Sequence, residues 1–325
     1  MTDYISRYVS SEEVKKVESE ILKLPGETVL QKCCGYLTKF VDEEIAIKRL
    51  NAITSMEEAI IRGIDNKDNF AADINYYFDS KYYNVKLEDI PKNPKQRYEL
   101  MTKDMPLGGE LSLDMMYRTC GTQLNIDYNS EGDFIKKFKL VNSIVPISIA
   151  LFANSSIVEK KNSNYLSYRS KVWQSTSRGG LPKLFFENLD FDKYAEFVMN
   201  FPILFIQHND QYISGRKYIF KDFMDGKIEE IGNRLPTKHD LTTHLSTIFT
   251  ENRLKKYIEL RSMDTCGWDC LCAGPAFNIG MLYGNLDEAY ELVSSWETDK
   301  IINAYLDAPQ KGFNTQLMGK DLLYW

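Results

Sequence analysis

Two short segments in which polar and apolar side chains alternate constrain this chain more than any other feature. In Arg118-Thr-Cys-Gly-Thr-Gln-Leu-Asn-Ile-Asp127, residues Gln123, Asn125 and Asp127 fall two apart with Thr119 in the same row, while Leu124 and Ile126 take the opposite side. In Lys256-Tyr-Ile-Glu-Leu-Arg261, residues Tyr257, Glu259 and Arg261 alternate with Ile258 and Leu260. A period of two predicts strands whose apolar side covers a core. The other side then holds a carboxylate beside a guanidinium, a pair suited to phosphate chemistry. Alternation alone is equally met by a polar row facing water, where such a pair contributes about 0–1 kcal/mol.

Composition narrows the partners. With 325 residues, 43% of them hydrophobic, the chain has enough apolar material for one large domain or two. A net charge of −6 argues against nucleic acid or anionic lipid, which demand clustered Lys and Arg. The longest apolar stretch, Leu140 to Ala153, is interrupted by Asn142, Ser143, Pro146 and Ser148. It falls short of the roughly 20 residues a membrane span requires and reads as a buried, Pro-kinked helix. No basic segment followed by an apolar run opens the chain, so the cytosol is the expected compartment.

Six cysteines, at positions 33, 34, 120, 266, 270 and 272, form no even ladder, and reduced thiols are expected. Cys266, Cys270 and Cys272 lack a second Cys/His pair at ligand spacing, which disfavours zinc.

Residues 1 to 80 read as mostly helical, from the Ser10-Ser11 cap and the recurrence of Val14, Val17, Ile21 and Leu24. Asp89-Ile-Pro-Lys-Asn-Pro94 marks a boundary. Beyond it the pattern predicts a short helix over 95–103, a strand over 111–128, and a long helix capped by Ser130. Tyr165 to Trp173 reads as extended or loop. Phe201–Gln207 and Gln211–Phe220 make a hairpin around Asn209-Asp210, with a helix over 220–225. Helical patterns resume at Asp240 and at Cys270. His244, placed at the start of a helix, has no nucleophile or carboxylate beside it and reads as a structural hydrogen-bonding residue.

Several blocks then fall in a fixed order: Leu113-Asp-Met-Met-Tyr-Arg-Thr-Cys-Gly-Thr-Gln-Leu-Asn-Ile-Asp127, Ala150-Leu-Phe-Ala-Asn-Ser155, Leu166-Ser-Tyr-Arg-Ser170 with Trp173, His244-Leu-Ser-Thr-Ile-Phe249 and Arg253-Leu-Lys-Lys-Tyr-Ile-Glu-Leu-Arg261. Together they closely resemble glutamate–cysteine ligases of the plant and proteobacterial type. The resemblance runs from about residue 87 to the end, which divides the chain into a helical region of unknown role, 1–85, and a ligase-like domain, 86–325.

That resemblance implies an α+β fold in which a curved, largely antiparallel sheet forms a funnel with helices outside, its N-terminal part replaced here by helices. It also implies a reaction. ATP and magnesium serve to phosphorylate the γ-carboxylate of glutamate, and the amine of cysteine then displaces phosphate to give γ-glutamylcysteine, the first step toward glutathione. By the same resemblance, Glu259 and Gln123 match metal-site positions, Arg261 touches the transferring phosphoryl group, and Asn125 and Arg178 lie at the nucleotide. Arg97 and Arg169 match arginines that grip substrate carboxylates, and Met116, Thr119 and Trp173 form walls for the incoming cysteine.

Two family motifs are missing. Relatives open with a strand bearing Gly-Thr-Glu-x-Glu-Lys, followed by a Glu-Pro-Gly-Gly-Gln turn. Here the nearest candidate, Glu18-Ser-Glu20, sits in a helical pattern where residues two apart share no face. Two expectations therefore stand side by side. One is a working ligase, acting as a homo-oligomer or completed by a partner chain that covers the missing strands. The other is a degenerate member that binds nucleotide, glutamate or a partner protein without turnover.

Overall fold

The two alternating segments pair with each other, antiparallel, and the rest of the domain is arranged around that ribbon. The computed structural model describes residues 86–90, 96–266 and 272–325. The N-terminal helical pattern, Glu18, Glu20, Cys33, Cys34, Cys270 and the Pro91–Pro94 boundary lie outside them.

Among the described residues the chain runs through α1 (Gln96–Asp104), α2 (Ser112–Tyr117), β1 (Gly121–Ile126), α3 (Glu131–Ser143), α4 (Val145–Leu151) and the short hairpin β2 (Ile157–Val158) and β3 (Lys161–Asn162). Next come α5 (Tyr168–Gln174), α6 (Phe191–Asn200), β4 (Phe205–His208), β5 (Gln211–Ser214), α7 (Phe220–Met224) and α8 (Lys238–Ser246). The last part holds β6 (Asn252–Leu254), β7 (Ile258–Asp264), α9 (Ala273–Ile279), α10 (Leu286–Ser294), α11 (Thr298–Lys311), and the terminal hairpin β8 (Gln316–Leu317) and β9 (Lys320–Asp321). Helices mixed with small antiparallel sheets place the protein in the α+β class.

β7 is the centre of a three-stranded sheet of order β1-β7-β6. Ile126 faces Ile258, Asn125 faces Glu259 and Leu124 faces Leu260; beyond them Thr122 faces Met263 and Gly121 faces Asp264. The register shifts between Thr122 and Leu124, so Arg261 and Ser262 together lie opposite Gln123. Because of that bulge, Asp264 returns to the face that carries Glu259 and Arg261.

The apolar face packs as the alternation requires. Ile126, Ile258 and Leu260 join a core with Phe134 and Phe138 of α3, Phe185, Tyr194, and Ile301 and Tyr305 of α11. Ser130 caps α3, its hydroxyl accepting the Asp133 N–H at 3.2 Å, as the sequence indicates. Leu140 to Ala153 is not one kinked helix. The chain breaks at Ile144, and Pro146 sits in the first turn of α4, where its missing N–H costs nothing.

Two other expectations are corrected. The strand over 111–128 shrinks to β1, because Ser112–Tyr117 is helical and Thr119 lies between the two elements. Tyr165–Trp173 is largely helix: Ser167 caps α5 by accepting the Ser170 N–H, a local bond that outweighs the strand-like look of its aromatic residues. The hairpin at Asn209-Asp210 forms with both residues at positive φ, 49° and 60°, as a two-residue turn between twisted strands demands.

Reduced thiols hold for Cys120 and Cys272, which are free. Cys266 is instead disulfide-bonded, with its partner outside the described residues.

Candidate functional site

The polar face of β7 does not meet water. All seven residues of the strand are buried, Glu259 with 5% and Arg261 with 6% of their surface exposed, so the solvent-facing reading fails for this strand, whereas Asn125 and Asp127 of the first segment are exposed. Removing charges from water without partners is costly, which makes the arrangement of this face informative.

At one end lies Glu259. Its carboxylate accepts a hydrogen bond from Arg253 Nε on β6, stands 3.3 Å from Lys255 Nζ and 3.9 Å from Arg261 Nη1. Burial alone would raise the Glu259 carboxyl, yet Arg253, Arg261 and Lys255 outweigh it and hold the group below the ordinary carboxylate range. Arg253 is fixed further by the carbonyls of Ser246 and Ile248, at 3.0 and 2.9 Å.

In the middle, Arg261 and Arg169 lie against the Trp173 ring, their guanidinium carbons 4.7 and 5.2 Å from its centroid. Arg169, 2% exposed, projects from α5 and donates from Nη2 to the Arg261 carbonyl at 2.5 Å. It crosses β1 at Gly121, where any Cβ would come within 2.5 Å of its Nε. Phe249 closes the other side, 5.7 Å from the Arg261 guanidinium.

Among the described residues, four buried donors in this middle zone have no hydrogen-bond partner: Arg169 Nη1, Arg261 Nε, Arg261 Nη1 and Trp173 Nε1. Burial pushes the Arg261 guanidinium down, to about 9, with the like charge of Arg253 contributing, which still leaves it cationic at neutral pH. Native interiors rarely leave such groups unmatched. Open, cationic, planar donors clustered around one ring recognise a carboxylate or phosphate oxygen pair.

At the far end, Asp264 and Glu251 are buried carboxylates near Arg169, and burial raises both despite that arginine. Tyr305 donates to Glu251 Oε1 at 2.8 Å. Neither residue stood out in the sequence. Asp264 lies one turn of alternation past the recognisable segment, and the bulge hid which face it shared.

The structure thus brings together Glu259, Arg261, Arg169 and Trp173, with Gln123 half-buried opposite Arg261 and Asn125 exposed opposite Glu259. Met116 joins the small apolar cluster that includes Trp173. Others stand apart. Thr119 donates to the Met115 carbonyl at 2.8 Å, tying it to the end of α2 rather than to the strand row. Arg178 donates to the Thr247 carbonyl and hydroxyl at 2.9 and 3.0 Å, and burial pushes it to about 9 with Arg216 as a like-charged neighbour. Arg97, half-buried on α1, lies 5.3 Å from the Tyr98 ring, and no ion pair among the described residues links it to Glu99 or Asp104. His244 is structural: it sits in the last turn of α8 rather than its start, bonds the Val198 carbonyl from Nε2 at 2.9 Å and stacks on Phe220.

A magnesium centre fits these residues poorly. The ion prefers several hard oxygen ligands in an octahedron. On this face Glu259 is already surrounded by three cations, Glu251 accepts from Tyr305 and Asp264 from Asn154, Ser155 and Ser167, and no group of three or more His, Cys, Asp or Glu suited to a metal exists among the described residues.

Taken by fold and site, this is an α+β protein with a buried, cation-rich face on an antiparallel sheet. The model of glutamate-cysteine ligase family 2 matches residues 78–325, and the chain belongs to that family. It is 41% identical over 234 residues to the chloroplastic glutamate–cysteine ligase of Nicotiana tabacum, covering 70% of this chain and 45% of that one. The chloroplastic glutamate–cysteine ligase B of Oryza sativa subsp. japonica is also 41% identical over 234 residues, covering 70% and 47%. For the chloroplastic enzyme of Arabidopsis thaliana the figure is 41% over 214 residues, covering 64% and 41%. The chain spans less than half the length of these relatives.

Proposed function

We propose that the chain is the anion-recognising part of a glutamate–cysteine ligase, joining the γ-carboxylate of glutamate to the amine of cysteine at the expense of ATP. The observation that carries this reading is the set of buried donors on Arg169, Arg261 and Trp173 that have no hydrogen-bond partner among the described residues, gathered around the Trp173 ring on one sheet face. Arg169 binds a glutamate carboxylate, Arg261 meets the phosphoryl oxygens as charge spreads over them, and Trp173 with Met116 walls off the amine that attacks. ATP would supply the phosphoryl group that converts the γ-carboxylate into an acyl phosphate with release of ADP, and attack of the amine on the acyl carbon would expel inorganic phosphate. In this reading the three strands are one section of a curved funnel, Asn125 and Gln123 stand at its nucleotide side, and Arg97 and Arg178 complete the anion contacts on loading.

The magnesium dependence of the reaction requires acidic ligands from outside the described residues, from a second copy or from a partner chain. That requirement favours one alternative on a specific observation: Glu259 neutralised by Arg253, Lys255 and Arg261 describes a face that binds anions without turnover. Incubation with ATP, magnesium, glutamate and cysteine decides between them. ADP release that depends on both amino acids supports the ligase, and glutamate binding without ADP release supports the binding member. As for place of action, the relatives are named chloroplastic and the cytosol is the compartment proposed for this chain; fractionation with an antibody against it separates the two.

A further inference from the structure

Two of the sequence blocks that carry the family resemblance meet at one buried carboxylate that has no place in the chemistry above. Asp264, 4% exposed at the end of β7, accepts the Asn154 N–H at 2.9 Å and the Ser155 hydroxyl at 2.7 Å on Oδ2, and the Ser167 hydroxyl at 2.8 Å on Oδ1. Each donor is itself built into the mounting of Arg169. Ser155 Oγ accepts the Arg169 N–H at 3.0 Å. Ser167 is the N-cap of α5, accepting the Ser170 N–H at 3.2 Å, with the Ser170 hydroxyl 2.8 Å away. The Asn154 side chain closes the loop by donating to the Thr265 carbonyl at 3.0 Å.

We propose that Asp264 is the positioning residue for Arg169, clamping the Asn154–Ser155 segment and the Ser167 cap to β7 so that the guanidinium crosses Gly121 with Nη1 open toward the substrate carboxylate. Geometry makes the clamp directional. Arg169 is already tied at Nη2 to the Arg261 carbonyl, so its backbone and its tip are both referenced to the same strand, three residues apart. A planar fork held at both ends loses little freedom when it binds, which is what preorganisation of a carboxylate site requires. Gly121 leaves the passage, since a side chain there would occupy the space of the guanidinium.

The inference rests on the ligase reading for the identity of the substrate, but the clamp can be read without it. Asp264→Asn keeps the shape and places an amide N–H where the serine hydroxyls and the Asn154 N–H now donate. In the ligand-free protein, amide exchange at Arg169 and Ser170 is expected to quicken about tenfold or more, the loss of one charge-assisted bond, while Ile258 in the core is unaffected. The KM for glutamate rises about tenfold or more, with the KM for ATP unchanged within about twofold. On an Arg169→Lys background, Asp264→Asn adds less than about twofold to the glutamate effect, because both changes act through one group. Unchanged exchange at Arg169 and Ser170 overturns the proposal, as does a full Asp264→Asn penalty on top of Arg169→Lys. If the unmodified protein binds no glutamate, the ligase reading fails, and the exchange experiment alone decides the clamp. Should Asp264→Asn not fold, Asp264→Glu, which keeps both serine hydroxyls but displaces the carboxylate by one methylene, is judged by the same exchange criterion.

Discussion

Along β7 both faces of the β1-β7-β6 sheet are buried, by opposite means, while on β1 the polar row opens to the surface at Asn125. On one, Ile126, Ile258 and Leu260 meet aromatic rings of α3 and α6, and burial is its own reward through removal of apolar surface from water. On the other, Arg253, Glu259, Arg261, Asp264 and the crossing Arg169 are equally hidden. There burial costs free energy, which the Glu259 end offsets with cations and the Asp264 end with three hydrogen bonds. Only the middle is left with open donors. Charges matched at both ends of a face and unmatched between them are the arrangement expected of a face that receives an anion.

That contrast can be broken in several places, beginning with the largest effect. Glu259→Gln leaves Arg253, Lys255 and Arg261 facing one another without a carboxylate, and urea denaturation is expected to show a loss of about 3–5 kcal/mol. A loss below about 1 kcal/mol would mean that those cations find other partners. Arg261→Met should separate stability from function. Its Nε and Nη1 make no hydrogen bond, and Glu259 keeps Arg253 and Lys255 when the 3.9 Å contact with Arg261 is lost, so stability changes by less than about 1 kcal/mol, while turnover falls about 100- to 1000-fold, as when one transition-state donor is removed. A variant that melts earlier and keeps its rate would contradict the division of the two faces.

The helical core sharpens the comparison because it expels charge instead of pairing it. His244, stacked 4.6 Å from Phe220, has its imidazole pushed down to about 4 by burial, below the 6.5 of a free histidine. The folded state therefore binds fewer protons than the unfolded one. Its contribution is complete above pH 6.5 and is lost as the pH falls toward 4. Between pH 7 and pH 5 stability should drop by about 2 kcal/mol, and His244→Gln should flatten that slope. The smallest effect belongs to the apolar face: Ile258→Val is expected to cost about 0.5–1.5 kcal/mol and to leave glutamate affinity alone.

Much of this contrast can be read from residue order, and the limits have physical causes. Period-two alternation located both strands and put Glu259 and Arg261 on one side, since that pattern is local. Burial of the polar side is not local. It depends on α5 crossing over Gly121, and α5 itself was read as extended or loop because Tyr168, Val172 and Trp173 favour strands by propensity; the Ser167 cap was the available signal. Asp264 was hidden by the bulge at Arg261-Ser262, which shifts its face by one residue and leaves no trace in composition. Thr119 was drawn into the strand row by the same alternation, although its hydroxyl serves the end of α2. The pairing of Glu259 with Arg253 needed the third strand, whose register no single segment specifies.

Calorimetric titration of L-glutamate into the unmodified protein and into Arg169→Met/Arg261→Met tests the central claim most directly. Saturable binding in the first and none in the second, with both proteins folded, is the result expected of a sheet face whose open guanidinium donors form the anion site. Equal binding by the two proteins would place the glutamate elsewhere and leave those buried donors without the role assigned to them.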